Sequence, residues 1–368
     1  MIVAYDLRYA CDHFAGIGKH THALLQALLE LPGDERYLVL WNPGWRNTRF
    51  DLAPFRAHPR VEWVERRWHP IRPWGAVQVG AWLRRRRPSV YLSPFGLRPI
   101  ASGCPEVLTL HDVSALRTPH IPSPVAGLLY RLSLRLAARA RAIITVSEFS
   151  RREVLALTPA RPERVRAVLG GALPHPPEAA RRRPPRLRAE RFALVVGDNR
   201  PRKNLGSLAR AWAAMGADPA LPLVGAGPVD ARFPSLAGLA ERAGARGVEQ
   251  LGWLEPPELA WLFDHAELVL LPSLYEGFGI PLVEAFAAGV PAVVADIPVF
   301  HEVGGDAAAY ADPRDPAAWA REVARLAGDP AARERMRRAG RARAAELTYR
   351  RTAEATLAVL REAAGVGA

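Results

Sequence analysis

The segment "LVLLPSLYEGFGIPLVEAFAAGVPAVVAD", Leu268 to Asp296, decides how the rest of the chain is read. It runs from an apolar strand (268–272) through a glycine-broken loop into a helix that starts at Pro281. Gly289 stops that helix, and a second apolar strand begins at Pro291. Pro281 suits the first helical position because its missing N–H costs nothing there. Two carboxylates stand around this helix start: Glu276 in the turn ahead of it and Glu284 in what reads as its first turn. Gly277 and Gly279 let the backbone approach a ligand closely and expose unpaired N–H groups. Amides at a helix start suit a phosphate, and ionised carboxylates suit sugar hydroxyls. A sugar attached to a nucleoside diphosphate wants both. The plain alternative is that Glu284 complements the helix dipole and Glu276 caps the helix.

Working outward, the same alternation recurs along the chain. Strands are expected at 2–8, 37–42, 61–67, 89–94, 106–112 and 142–149, then at 192–198, 221–227, 248–253, 268–272 and 291–296. Helices are expected between them, including 122–140, 203–216, 256–264 and 281–288. After Pro316 the pattern is helical, and "YRRTAEATLAVLREA" places Tyr349, Ala353, Leu357 and Leu360 on one face. The stretch "PHPPEAARRRPPRLRAE" (174–190) interrupts the alternation with prolines and arginines and reads as a linker. The expected fold class is therefore α/β: two Rossmann-like, doubly wound parallel-sheet domains facing a cleft. Their bounds are 1–173, then the linker, then 191–347, with a C-terminal helix (348–368) packing back on the N-terminal domain. Ligands in such sheets sit outside the carboxyl ends of the strands.

Three further sites fall in strand-to-helix loops. In "VVGDNRPRKNLGSLARAW" (195–212), Arg202, Lys203 and Asn204 are expected to begin a helix. Arg202 and Lys203 could neutralise a diphosphate, one by a fork and one as a point charge. Cations at a helix start oppose its dipole, so a merely solvated face explains them poorly. In "FAGIGKHTHALL", Gly16 and Gly18 resemble a dinucleotide fingerprint weakly, since position 21 is Thr. In "LTLHDVSAL", His111 follows a strand directly, and a structural histidine is as good a reading as a catalytic one.

Composition bounds the rest. At 368 residues the chain is long enough for two domains. The net charge of +13 rests almost wholly on arginine, Lys19 and Lys203 being the only lysines. Abundant Ala, Pro and Gly point to GC-rich coding as one source of that arginine, while the excess still favours anionic partners. Cys11 and Cys104 are too few for a disulfide framework and read as free buried thiols. Asp6 and Arg8 break the apolar run that a leader peptide would need, so a cytoplasmic location is expected. The segment 64–90 interleaves Arg66, Arg67, Arg72 and Arg84–Arg87 with Trp68, Trp74 and Trp82. A peripheral membrane contact through 64–87 is one reading; a solvated helix face with core tryptophans is the other.

Taken together, "GIGKHTHAL", "TLHD" (109–112), "VSEFSRRE" (146–153), "PRKNL" (201–205), "LGWLEPPEL" (251–259) and the E-x7-E pair Glu276–Glu284 resemble the retaining glycosyltransferases of the GT-B fold. The match is to glycosyltransferase family 4, in its mannosyltransferase-like members, and covers almost the whole chain. The resemblance implies a catalytic set of Glu276, His111, Lys203 and Arg202. Glu276 would meet the donor sugar's hydroxyls, Glu284 the ribose, and Lys203 with Arg202 the diphosphate. Gly16 and Gly18 would leave room for the donor, and His111 would sit beside the sugar. Donor contacts would also come from Asn204, Gly277 and the amides of Phe278, Gly279 and Ile280, with Trp253 and Leu254 near the nucleobase. Many members carry an Arg directly after the glycine that ends the first strand of the second domain. Here Asp198 follows Gly197, and Arg200 or Arg202 would substitute.

No D-x-D triplet occurs in the chain, so no metal and no cofactor are expected. The expected partners are a nucleotide sugar and a carbohydrate or lipid-linked acceptor. The resemblance implies transfer with retention, by same-face attack rather than a covalent intermediate. Rival readings are another GT-B enzyme (phosphorylase, epimerase or hydrolase) and a basic nucleic-acid-binding protein. No zinc-finger, RNP or helix-turn-helix pattern supports the last, so no nucleic acid is expected.

Overall fold

The computed structural model describes residues 1–117, 124–173, 176–216, 219 and 221–366. The chain divides into two compact units. Met1–Gly171 together with Thr348–Ala368 forms the first, and Ala172–Leu347 forms the second.

The first unit is built on seven strands: β1 (Ile2–Asp6), β2 (Arg36–Trp41), β3 (Val61–Glu65), β4 (Val90–Ser93), β5 (Glu106–Leu110), β6 (Ala142–Thr145) and β7 (Val165–Ala167). They lie in the order β3-β2-β1-β4-β5-β6-β7, every pair parallel. β4 and β5 are buried along their whole length because helices cover both sheet faces, and even their polar members Ser93, Glu106 and Thr109 are inside. The chain reverses direction across the sheet between β1 and β4.

The final helix, Tyr349–Ala364, belongs to this unit and packs on the Ala15–Glu30 helix. Tyr349, Ala353, Leu357 and Leu360 form its buried face. The Thr352 hydroxyl donates to the Leu169 carbonyl (2.7 Å), and Arg361 donates to the buried Glu35 carboxylate (2.5 Å).

The second unit carries β8 (Ala193–Val196), β9 (Leu223–Ala226), β10 (Val248–Gly252), β11 (Leu268–Leu271), β12 (Ala292–Ala295) and β13 (Ala308–Ala311). Their order is β10-β9-β8-β11-β12-β13, again all parallel. Trp212 and Trp319 are fully buried here, each contributing about 2–3 kcal/mol of apolar burial. The reversal point of this sheet lies between β8 and β11.

Two local differences from the sequence expectation have clear causes. β7 ("VRA") and β13 ("AAYA") are edge strands too short and too alanine-rich to carry a strand signature. Arg202 and Lys203 end a 3-10 turn (Pro201–Lys203) instead of starting a helix; the helix runs Leu205–Ala214. The described part of 174–190 is folded against the second unit. There Arg181 pairs with Asp264 (2.6 Å), Arg183 lies over the Trp261 ring (5.6 Å), and the Arg188 and Ala189 amides donate to Glu249. Of the two thiols, Cys11 is buried and Cys104 half-buried.

Candidate active site

The geometry begins with the turn after β8. Gly197 adopts φ +150°, and the loop after β9 presses on it so closely that a Cβ at Gly227 would lie 2.0 Å from the Gly197 carbonyl oxygen. The 3-10 turn then ends at Asn204, a non-glycine residue in the left-handed region (φ +54°). Asparagine tolerates that conformation better than most side chains, and here its amide is clamped. Asn204 Nδ2 donates to the carbonyls of Pro272 (3.1 Å) and Pro313 (2.7 Å). The Leu274 N–H donates to the Arg202 carbonyl (2.8 Å). These bonds fasten the loop after β8 to the loop after β11 at the sheet's reversal point, where parallel sheets open a crevice.

The charges of the two loops meet there. Lys203 Nζ lies 2.5 Å from Glu276 Oε1, and Arg202 Nη1 lies 3.3 Å from Oε2. The Ser273 hydroxyl donates to the same carboxylate (2.8 Å). All three charged side chains are largely sequestered, with 13%, 21% and 13% of the Lys203, Arg202 and Glu276 side chains exposed. Burial pushes the Glu276 carboxyl up. Lys203 and then Arg202 outweigh that burial, the hydroxyl adds to them, and the pKa falls from 4.5 to about 2. Glu276 is thus ionised at any physiological pH. The two loops thus bring Lys203 and Arg202 onto the fixed Glu276 carboxylate, a grouping able to receive an anionic ligand on the cations and hydroxyl donors on the carboxylate.

Beyond Glu276 the loop is buried at Gly277, Phe278 and Gly279. Gly279 caps the Ile280–Ala288 helix at φ +93°, and a Cβ there would stand 2.6 Å from the buried Phe300 ring. Only glycine satisfies both constraints. The Ile280 amide heads that helix, Pro281 brings no N–H, and the Leu282 N–H donates to the Gly279 carbonyl (2.9 Å). Glu284 is buried, at 5% exposed, but lies in the second turn of the helix. This corrects the expectation of a first-turn position. It also weakens the dipole explanation, because that effect fades beyond the first turn.

Asp198, in the position where an arginine is expected, is paired with Arg200 (3.8 Å), whose side chain is mostly in solvent. Of the two candidates to replace that arginine, Arg202 is the one beside Lys203. Trp253 and Leu254 follow β10, past Gly252 at φ +74°; Trp253 is exposed and Leu254 half-buried. They stand at the same carboxyl edge as Lys203, two strand spacings (roughly 10 Å) away.

The remaining candidates lie in the first unit, also at its carboxyl edge. Gly16 is exposed with no atom near the place a Cβ would take, whereas at Gly18 a Cβ would meet the Tyr9 carbonyl at 2.9 Å. Gly16 keeps space open; Gly18 permits packing. His111 Nε2 sits 2.9 Å from the Pro94 carbonyl, and its ring meets His20 edge to face, 4.8 Å between centroids. A carbonyl only accepts, so Nε2 carries the hydrogen and a neutral ring presents Nδ1 as an acceptor. Burial, the largest influence, lowers the His111 pKa and keeps the ring neutral.

Two polar groups escaped the sequence reading. Asn199 is buried and ties the β8 turn to the next loop, donating to the Phe233 carbonyl (2.8 Å) and accepting from the Asp230 N–H (2.7 Å). At the end of β1, Asp6 and Arg8 form a buried pair (2.6 Å) that the Tyr91 hydroxyl completes (2.7 Å). The charges in "YDLR" were the available signal; nothing in the sequence placed Tyr91 beside them. Among the described residues, no group of three or more His, Cys, Asp or Glu side chains could hold a metal ion, and no helix is long and apolar enough to cross a membrane.

Residues 14–172 match the family described as Glycosyltransferase Family 4, and residues 178–343 match Glycosyl transferases group 1. The O-antigen chain mannosyltransferase B of Escherichia coli is 30% identical over 253 residues, 66% of each chain. A D-inositol 3-phosphate glycosyltransferase of Thermobispora bispora is 31% identical over 283 residues, 70% of this chain and 61% of that one. The alignments therefore span about two thirds of these relatives' own length, or less. Among solved structures, Anabaena Alr3699/HepE in complex with UDP and glucose superposes with a TM-score of 0.71 at 18% identity, covering 98% of this chain and all of that one. With the two parallel-sheet units, that likeness shows the GT-B fold.

Proposed function

The chain belongs to glycosyltransferase family 4, and from that premise we propose that it moves a sugar from a nucleoside-diphosphate sugar to a glycan or lipid-linked acceptor, with retention. The observation that carries this reading is the meeting of Lys203 and Arg202 with Glu276 at the reversal point of the second sheet. Mannose is the sugar favoured by the mannosyltransferase relative, and the UDP complex of the Anabaena protein supports a nucleotide-borne donor.

In this reading Lys203 and Arg202 take the diphosphate, helped by the amides of Phe278, Gly279 and Ile280. Glu276, ionised and already oriented by Ser273, accepts from hydroxyls of the transferred sugar. Glu284 accepts from the ribose, Trp253 and Leu254 border the base, and Asn204 holds the cation-bearing turn in place. Gly16 leaves room for the donor, and His111 offers Nδ1 to a sugar hydroxyl. As the glycosidic bond breaks, negative charge grows on the departing phosphate, and the two cations stabilise it without a metal. The acceptor hydroxyl attacks from the same face and its proton passes to that phosphate, so Glu276 need not act as a nucleophile. A cytoplasmic location belongs to the same reading.

A thermal-shift panel of nucleoside diphosphates and nucleotide sugars tests the proposal, because a ligand that binds only the folded chain raises its melting temperature. Stabilisation by one nucleotide sugar, with the sugar found on an acceptor in the α or β configuration it had on the donor, is the expected result. No stabilisation by any nucleotide, with hydrolysis of a simple glycoside instead, would overturn it.

A further inference from the structure

The Pro124–Ala137 helix is apolar on two opposite sides. Its inner side, Leu134 and Ala137, packs with Leu108, Leu110 and Ile143 in one core cluster. Its outer side presents Val125, Leu128, Leu129, Leu132 and Leu136, at spacings of three and four that align them in one row. Every one of these is exposed, Leu128 by 67% and Val125 by 66%. Arg131 and Arg135 are exposed along the flank of the row, and the helix contains no Asp or Glu.

A second helix shares the pattern. Pro73–Arg86 also lacks Asp and Glu, ends in Arg84, Arg85 and Arg86, and buries Val79, Trp82 and Leu83 against Ala4, Leu38 and Tyr91. Its other side exposes Trp74 (76%) and Val77, with Ile71 and Ile100 exposed nearby. Of the three tryptophans in the 64–87 stretch, Trp82 is therefore core and Trp68 packs partly against it; Trp74 alone is in solvent. Tyr91 is registered opposite Glu106, two residues from Leu108 on the same side of the sheet, so both helices cover one face of the first unit's sheet. Their outer sides form a common surface of aliphatic rows, one free indole and arginines.

We infer that this outer surface, centred on the Val125–Leu136 row, docks the protein onto an anionic lipid bilayer. An exposed apolar row of this length marks an interaction surface. A convex helix face with leucines on top, guanidinium groups at the side and no acidic residue matches the boundary between headgroups and acyl chains. Arginines there lay their stems on apolar surface and reach the phosphates, and an indole prefers the same depth. The inference does not rest on the donor reading, since lipid binding is measured without nucleotide.

The test is sedimentation of the full chain with phosphatidylcholine vesicles, with and without phosphatidylglycerol. The chain should sediment with the phosphatidylglycerol vesicles at low salt and be released as salt rises. The double variant Leu129→Glu/Leu132→Glu, whose side chains touch no core, should lower the partition by about tenfold or more while melting like the wild type. Arg131→Glu/Arg135→Glu should do the same on anionic vesicles only, and Val229→Glu, an equally exposed site on the second unit, should change nothing. Failure of the wild type to sediment, or equal sedimentation of the leucine variant, would overturn the inference. So would a wild-type dimer in sedimentation velocity that the leucine variant converts to monomer, since the row would then bind a second copy of the chain.

Discussion

Replacing Glu276 by Gln keeps the side chain's shape and removes the carboxylate paired with Lys203 and Arg202. Holding the carboxyl at about 2 in place of its ordinary 4.5 corresponds to about 3 kcal/mol in favour of the ionised, folded form. Because the folded value is the lower one, that stabilisation is complete above pH ~4.5 and is lost as the pH falls toward 2. The variant should therefore have a flatter acid limb in its stability profile. At neutral pH it should lose on the order of 3 kcal/mol, roughly 6–12 °C in the melting temperature of the second unit. Ligand binding should separate from turnover. A nucleoside diphosphate without sugar should bind at least as tightly, since it no longer competes with the Glu276 charge for Lys203 and Arg202. Transfer at saturating donor should fall roughly 10- to 100-fold, the worth of a charged hydrogen bond to the sugar. Thermal melts from about pH 2 to about pH 7, calorimetric titration of the diphosphate and an assay of released nucleotide measure the three quantities. Parallel acid limbs with an unchanged melting temperature would refute the electrostatic reasoning, and near-full turnover would refute the role of Glu276.

Gly279→Ala should cost about 1–3 kcal/mol and weaken donor binding, since the new methyl is strained at φ +93° and strikes the Phe300 ring; chemical denaturation and donor titration check it. Asn204→Ala should cost about 2–3 kcal/mol through two orphaned proline carbonyls and should raise donor KM more than it lowers kcat, because Lys203 loses its fixed position. His111, held neutral by burial, should leave turnover flat above about pH 6.5, with any fall attributable to it confined to more acidic pH; a profile rising through pH 7 that His111→Asn abolishes would contradict this.

Much of the site was legible because its chemistry is local. Glu276, Gly277 and Gly279 sit within four residues, and a strand, a turn and a helix start can be read around them without knowing the fold. The pairing of Lys203 with Glu276 followed from one topological rule, that loops at a sheet's reversal point converge. What escaped depends on distance or on degeneracy. "AAYA" becomes β13 because β12 offers it an edge, not because of its own preference. Glu284 falls one position later in the helix, past its first turn, because Ile280, ahead of the proline, already has helical geometry. Leucines 128, 129, 132, 134 and 136 all look like core by composition, and only the packed fold separates Leu134, which is inside, from the four outside.

The Tyr349–Ala364 helix has one more consequence. The second unit is an insertion: the chain leaves the first at Gly171 and rejoins it at Thr348, and the two crossings run side by side. The Ala172 N–H donates to the Leu347 carbonyl (2.9 Å), while Gly171 leaves no space for a methyl beside Tyr349. A protein shortened at Leu347 would therefore not lose a dispensable tail. It would strip a wall from the half that holds His20 and His111, leaving the second unit whole. Conversely, splicing Gly171 directly to Thr348 would close the first half on itself and excise residues 172–347 as a body whose own ends already touch.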